Sequence, residues 1–145
     1  MDKWLKAFRL RTLPLSLACV GMGSFLASAY ADYRWDVIVL TIVTTVFLQI
    51  LSNLANDYGD FVNGADHDKR LGPSRAVQSG EISPESMRRM VLVFAALSLV
   101  SGVILLILSL NLDWTLLIFL MLGIGSIAAA IYYTMGKNPY GYSGL

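Results

Sequence analysis

The residues best suited to chemistry lie between Gln49 and Arg75, in the stretch QILSNLANDYGDFVNGADHDKRLGPSR. Asp57, Asp60, Asp66 and Asp68 follow directly on an apolar run long enough to cross a bilayer. Carboxylates at a membrane boundary are costly and are usually kept for a function. Several together repel one another unless something positive holds them, and a hard divalent cation is the usual candidate. On a helix, Gln49, Asn53, Asn56, Asp57 and Asp60 recur at separations of three or four and share one stripe, climbing from within the membrane to its edge. A solvated acidic helix end would account for one Asp but not for a stripe that also buries Gln49 and Asn53. Gly59 and Gly64 are expected to loosen the helix before the chain turns through Asn63 to Asp66-His67-Asp68.

Mg²⁺ suits such a stripe, because it takes one or two carboxylates and completes its octahedron with waters and substrate phosphate oxygens. Lys69, Arg70 and Arg75 then supply direct contacts to a phosphorylated substrate, with Arg able to fork two phosphate oxygens. The competing explanation for these cations is topological, since basic loops stay cytoplasmic whatever they do. It weighs less on Arg75, which sits in the compact Gly72-Pro73-Ser74-Arg75 turn. His67 could serve as base or ligand, although a single His beside carboxylates is more often a surface residue. One His and one Cys, far apart, argue against zinc. No G-x-S-x-G, P-loop or G-x-G-x-x-G is present.

The elements that must position these groups follow from composition. Of 145 residues 56% are hydrophobic and 14% charged, which suits a polytopic membrane protein. A net charge of +1 gives no reason to expect nucleic acid as a partner. The single Cys19 excludes an intramolecular disulfide. Four spans are expected, at about 13–30, 37–56, 90–110 and 114–133. Short connections make them two helical hairpins, joined by an Asp-rich loop at 57–89. Lys3, Lys6, Arg9, Arg11, Lys69, Arg70, Arg75, Arg88, Arg89 and Lys137 fall on one side and Arg34 alone on the other, so the N-terminus, the site loop and the end of the chain are expected to be cytoplasmic, in an inner membrane. Trp35 and Trp114 open two spans and Tyr132 and Tyr133 close another, as interfacial anchors do.

A basic start, an apolar run and Ala27-Ser28-Ala29 also resemble a cleavable signal peptide; the length of the run and the span that follows at once favour an uncleaved helix. Gly23 with Ala27, and Gly125 with Ala129, form small-xxx-small pairs that ordinary packing explains. The third helix is predicted to begin at Ser83 as N-cap, with Pro84 first and Glu85 in its opening turn.

The block NDYGD at 56–60, with Asp66 beyond, resembles the first Asp-rich motif of the UbiA superfamily of intramembrane prenyltransferases. Four blocks in order, RTLPLSLA, QILSNLANDYGD, GPSRAVQSGEIS and YTMGKNPYGYSGL, resemble its dihydroxynaphthoate polyprenyltransferase branch over essentially the whole chain. The resemblance implies transfer of a polyprenyl group from polyprenyl diphosphate to 1,4-dihydroxy-2-naphthoate, with loss of diphosphate and carbon dioxide, toward menaquinone. It implies that Asn56, Asp57 and Asp60 hold Mg²⁺ against the diphosphate, and that Arg70 and Arg75 grip it; Lys69 and Asn53 would join them. The family pattern puts its third Asp where this chain has Gly64, so Asp66 is the substitute and Asp68 the alternative. Tyr133 and Lys137 match a Tyr-x-x-x-Lys motif, with Tyr132 a close competitor.

The superfamily has about nine spanning helices and a second Asp-rich motif, which these residues lack. The chain is therefore expected to be an N-terminal half, truncated and inactive alone. Its Gln49–Asp60 stripe would face lipid or a partner, prompting self-association or pairing with a C-terminal half. A CDP-alcohol phosphotransferase is excluded, since Asp60 is followed by Phe61-Val62 where that motif needs Asp-Gly. The rival from another class is a small membrane carrier or helper subunit with a polar intramembrane stripe.

Overall fold

The computed structural model describes residues 2–32, 34–65 and 75–143. Among these residues the regular elements are helices: α1 Asp2–Phe8, α2 Leu13–Ser28, α3 Trp35–Val62, α4 Pro84–Ser109 and α5 Trp114–Tyr132, with 3₁₀ turns at Leu10–Thr12 and Tyr140–Tyr142. Four stretches, Lys3–Ser28, Trp35–Val62, Pro84–Ser109 and Trp114–Tyr132, are long and apolar enough to cross a membrane. The result is an all-helical bundle of the polytopic membrane kind.

Local chemistry explains the helix ends. Ser83 Oγ accepts from the Ser86 amide at 3.3 Å, Pro84 takes the first position and Glu85 the first turn, as predicted. Asp113 caps α5 by accepting from the Thr115 amide at 2.8 Å. At the other end of α3 the chain leaves the helix through Asn63 and Gly64, whose φ of 67° suits a residue without a Cβ.

The helices run beyond the spans expected at 37–56 and 90–110: α3 continues to Val62, and α4 starts at Pro84 as its cap predicts. The connection is 63–83, and Asp57, Asp60, Arg88 and Arg89 are helical. Gly59 does not loosen α3. A Cβ there would lie 2.5 Å from Thr134 Cβ and 2.4 Å from its carbonyl oxygen, so the glycine provides room for close approach of the chain after α5.

α3 packs against each of the other helices. Both expected hairpins are present, yet the most extensive interface is α3 against α4, between the hairpins. Midway along it Thr44 Oγ1 and Ser101 Oγ are hydrogen-bonded at 3.0 Å. The core lies toward the polar end, where Leu51, Leu54, Met87 and Val91 are fully buried and Ala76, Val77 and Ile82 of the connection dip in beside them. Tilted and edge-on ring contacts run from Trp4 to Phe8, Phe94 and Phe47, pinning α1 across α3 and α4. Lys6 Nζ adds a bond to Glu81 at 2.7 Å; because both ends are solvated, it orients α1 more than it stabilises it.

α2 and α5 bury no residue. Neither Gly23 nor Gly125 has a neighbour within 4 Å of where a Cβ would stand, so within the described residues these small-residue pairs pack nothing. Trp35 and Trp114 are exposed at the helix starts, as interfacial anchors require. With four spans in series, Ser79 and Asp113 stand at opposite ends of α4. Cysteines introduced there in a Cys19→Ser background are expected to react with impermeant maleimide from opposite faces of the membrane; labelling of both from one face would contradict the four-span topology.

Candidate active site

The polar end of α3 gathers the residues singled out by type and spacing. Asp57 is 1% exposed and Asp60 8%, while Asn56 is half-buried beside them. Two long-range arrivals enclose them. From the connection, the Ala76 amide donates to Asp57 Oδ2 at 3.2 Å. Arg75 Nη1 donates to the Asn56 carbonyl at 2.9 Å and forms an ion pair with Asp60 Oδ2. From beyond α5, the Tyr142 hydroxyl donates to Asp60 Oδ1. Thr134 Oγ1 donates to the Ala55 carbonyl at 2.9 Å and lies 3.3 Å from Asn56 Oδ1, and Asn63 Nδ2 reaches the Thr134 carbonyl at 2.8 Å. Together these bonds fasten the segment after α5 against the end of α3.

The stripe expected to face lipid or a partner is therefore covered by its own chain. Asn53 Nδ2 donates to the Phe8 carbonyl at 3.0 Å and to Thr12 Oγ1 at 3.2 Å, and Gln49 Nε2 reaches Thr12 Oγ1 at 3.3 Å. The physical reason is the break between α1 and α2. Arg9 adopts a left-handed backbone, φ 49° and ψ 55°, which folds α1 back over α3 instead of extending α2. Such a conformation is strained for a residue with a Cβ and persists only where surrounding contacts hold it. Both amide protons of Asn53 are engaged within the chain, so a contact from it to diphosphate requires one of these bonds to open.

The same backbone brings the Arg9 charge within electrostatic reach of Asp57 and Arg75. The pKa of the Arg75 guanidinium is lowered chiefly by burial and next by Arg9, opposed by Asp57. It remains a cation, held poised against carboxylates. Arg9 entered the sequence argument only as a topological charge, because nothing in its neighbours reports a left-handed turn. Tyr142 was missed as well. Its local signal is Gly141, where a Cβ would stand 2.6 Å from the Tyr133 carbonyl oxygen, so only glycine lets this turn lie flat.

The remaining candidates divide. The Tyr133 ring stacks edge-on against Tyr140 at 5.3 Å and is 45% exposed, Tyr132 is more exposed still, and Lys137 is exposed at the surface beyond them. Asp66, Asp68, His67, Lys69 and Arg70 lie outside the described residues. An apolar cavity of about 150 Å³ between α3, α4 and α5, lined by Leu48, Leu99 and Phe119 among others, holds no titratable group. The buried carboxylates gather instead at the polar end of α3.

Could these residues take Mg²⁺? Among the described residues no three metal-ligating side chains cluster, but Mg²⁺ needs only one or two carboxylates plus substrate oxygens. Asp57 Oδ1 is buried without a hydrogen-bond partner, a lone-pair vacancy that suits a cation. The donor set fits.

Comparison with known proteins bears on the same residues. The profile of the UbiA prenyltransferase family matches residues 15–144. The chain belongs to the UbiA prenyltransferase family. It is 43% identical to a 1,4-dihydroxy-2-naphthoate octaprenyltransferase of Escherichia coli (strain K12), over 98% of this chain and 46% of that protein. It is 41% identical to the protein of the same name from Haemophilus influenzae, over 100% of this chain and 48% of that one. With the Mycobacterium leprae protein of that name it shares 37%, over 99% and 46%. This UbiA chain thus spans about half the length of the curated relatives it matches. No solved structure matches it. Its membership accounts for the membrane-spanning bundle.

Proposed function

We propose that these residues build the diphosphate side of an enzyme that transfers a polyprenyl group from polyprenyl diphosphate to 1,4-dihydroxy-2-naphthoate, releasing diphosphate and carbon dioxide in menaquinone biosynthesis. The observation that carries the reading is the meeting of Asp57, Asp60 and Arg75, one helical turn and a long connection apart in sequence, at one buried polar end of a membrane helix. High identity across nearly the whole chain to relatives named for that acceptor supports the choice of substrate. The site opens toward the cytoplasm from an inner membrane, in line with the lone Arg34 on the far side.

Asn56, Asp57 and Asp60 would hold Mg²⁺, with Asp66 or Asp68 completing the set. Bound there, Mg²⁺ would neutralise charge developing on the diphosphate. Arg75 is placed to exchange part of its contact with Asp60 for diphosphate oxygens, and its fork suits two of them. Lys69 and Arg70 extend the same grip. Donors and charges set in advance cost no reorganisation when the allylic carbon–oxygen bond breaks. The bundle keeps water from the allylic cation, which the aromatic ring then attacks. Tyr133 and Lys137 stand on the segment that Thr134 fastens to α3, which places them beside this end of the bundle.

Because α2 and α5 bury nothing among the described residues, a chamber closed to lipid needs further helices against them, from the same protein or a second copy. The complete protein in membranes, given Mg²⁺, polyprenyl diphosphate and dihydroxynaphthoate, is expected to release diphosphate in step with prenylated, decarboxylated product. The 145 residues alone are expected to give none. A complete protein that binds these compounds without releasing diphosphate would overturn the transferase reading in favour of a carrier.

A further inference from the structure

The last segment of the chain reaches the site through a built support. After α5, Pro139 is extended and delivers the 3₁₀ turn Tyr140–Tyr142. Three contacts hold that turn on the end of α5. The Gly141 amide donates to the Tyr133 carbonyl at 2.9 Å, the Tyr140 hydroxyl donates to the Ala129 carbonyl at 2.8 Å, and the Tyr140 ring meets the Tyr133 ring edge-on at 5.3 Å. Gly141 lies so close to Tyr133 that no Cβ fits between them. Tyr142 therefore has little freedom, and its ring is 45% exposed while its hydroxyl enters the site to meet the nearly buried Asp60.

A carboxylate offers about four lone-pair sites on two oxygens. Arg75 takes one on Oδ2 and Tyr142 one on Oδ1, which fixes the rotation of the group. A salt bridge by itself would leave the carboxylate free to pivot about Arg75. The second donor removes that freedom.

We propose that Tyr142 is a positioning residue for the metal and diphosphate site: its hydroxyl holds Asp60 in the orientation that presents a carboxylate oxygen to the cation, and the Tyr140–Tyr142 turn exists to aim it. The inference rests on the metal-and-diphosphate reading above. Partners that orient a ligating carboxylate typically matter by 10- to 100-fold in metal affinity.

The test uses Mn²⁺ as the probe, titrated into the purified chain in nanodiscs with inorganic diphosphate present, with the free six-line electron paramagnetic resonance signal reporting binding and the bound spectrum reporting ligand geometry. Tyr142→Phe keeps the ring and removes only the donor. It is expected to weaken Mn²⁺ by about tenfold or more, to change the bound spectrum, and to leave the melting temperature close to that of the unaltered chain. Gly141→Ala keeps every polar group but displaces the turn, and is expected to weaken Mn²⁺ in the same direction. Binding by the unaltered chain together with equal or tighter binding by either variant overturns the role of Tyr142 and leaves the metal reading standing. No Mn²⁺ binding by the unaltered chain overturns both.

Discussion

Alanine at Asp57 or at Asp60, in a complete prenyltransferase carrying this segment, is expected to lower prenyl transfer by about 10³-fold or more. Losing a ligand to the charge-neutralising cation removes several kcal/mol of transition-state stabilisation, and each 1.4 kcal/mol is about tenfold in rate. The two variants should part company in stability. The Arg75 and Asp60 side chains are each 12% exposed in their ion pair, and Tyr142 donates to the same carboxylate. Removing Asp60 takes the paired carboxylate from a largely buried guanidinium that keeps its bond to the Asn56 carbonyl, a loss of up to about 3–5 kcal/mol for pairs of this kind. Asp57 has backbone donors at Ala76 and Val77 but keeps Oδ1 unpartnered, so its burial is less fully compensated than that of Asp60 and its removal is expected to cost the fold less. Sequence alone suggested that deleting either carboxylate would relieve repulsion; the ion pair reverses that sign for Asp60. Product formation and melting temperature for both variants check the statement. Turnover by either at the unaltered rate, or equal melting of the two, would contradict it.

The second large effect belongs to a residue with no chemistry. Gly59→Ala is expected to destabilise the fold by about 1–3 kcal/mol, and Gly59→Val by more, because the new Cβ would stand 2.4–2.5 Å from Thr134 backbone and side-chain atoms. Backbone cannot retreat cheaply. The displaced segment carries the Thr134 bonds to Ala55 and Asn56 and, further on, Tyr142, so metal binding should weaken with stability. Alanine at Gly64, where an added Cβ has no neighbour within 4 Å, is the contrast, with a cost limited to its left-handed backbone. Melting in detergent, followed by circular dichroism, separates them. A Gly59→Ala protein that melts with the unaltered one would show that α3 and the segment after α5 are not in contact.

Much of this was legible from residues alone. Apolar runs in α3, α4 and α5 declare spanning helices because a membrane leaves the backbone few other ways to satisfy its hydrogen bonds. Ser83 and Pro84 marked the start of α4, since capping is a local matter of one side chain and one amide. Spacing put Asn56, Asp57 and Asp60 on one helical face, and their type pointed to a cation and an anionic substrate. What local pattern could not settle was which neighbour each would meet. Gly59 read as a loosening point when its meaning was contact with Thr134, 75 positions later. Arg9 read as a topological charge when its left-handed backbone turns α1 over Gln49 and Asn53.

By itself the sequence determined the helical, membrane-spanning class and the chemical character of the site, because both depend on residue type and short-range spacing. Only the tertiary structure decided that Asp60 is shared between Arg75 and Tyr142, that Asn53 holds α1, and that the polar stripe is covered by its own chain. Those outcomes depend on how separated segments pack in three dimensions, where the need to satisfy buried polar groups, and not their order along the chain, selects the partners.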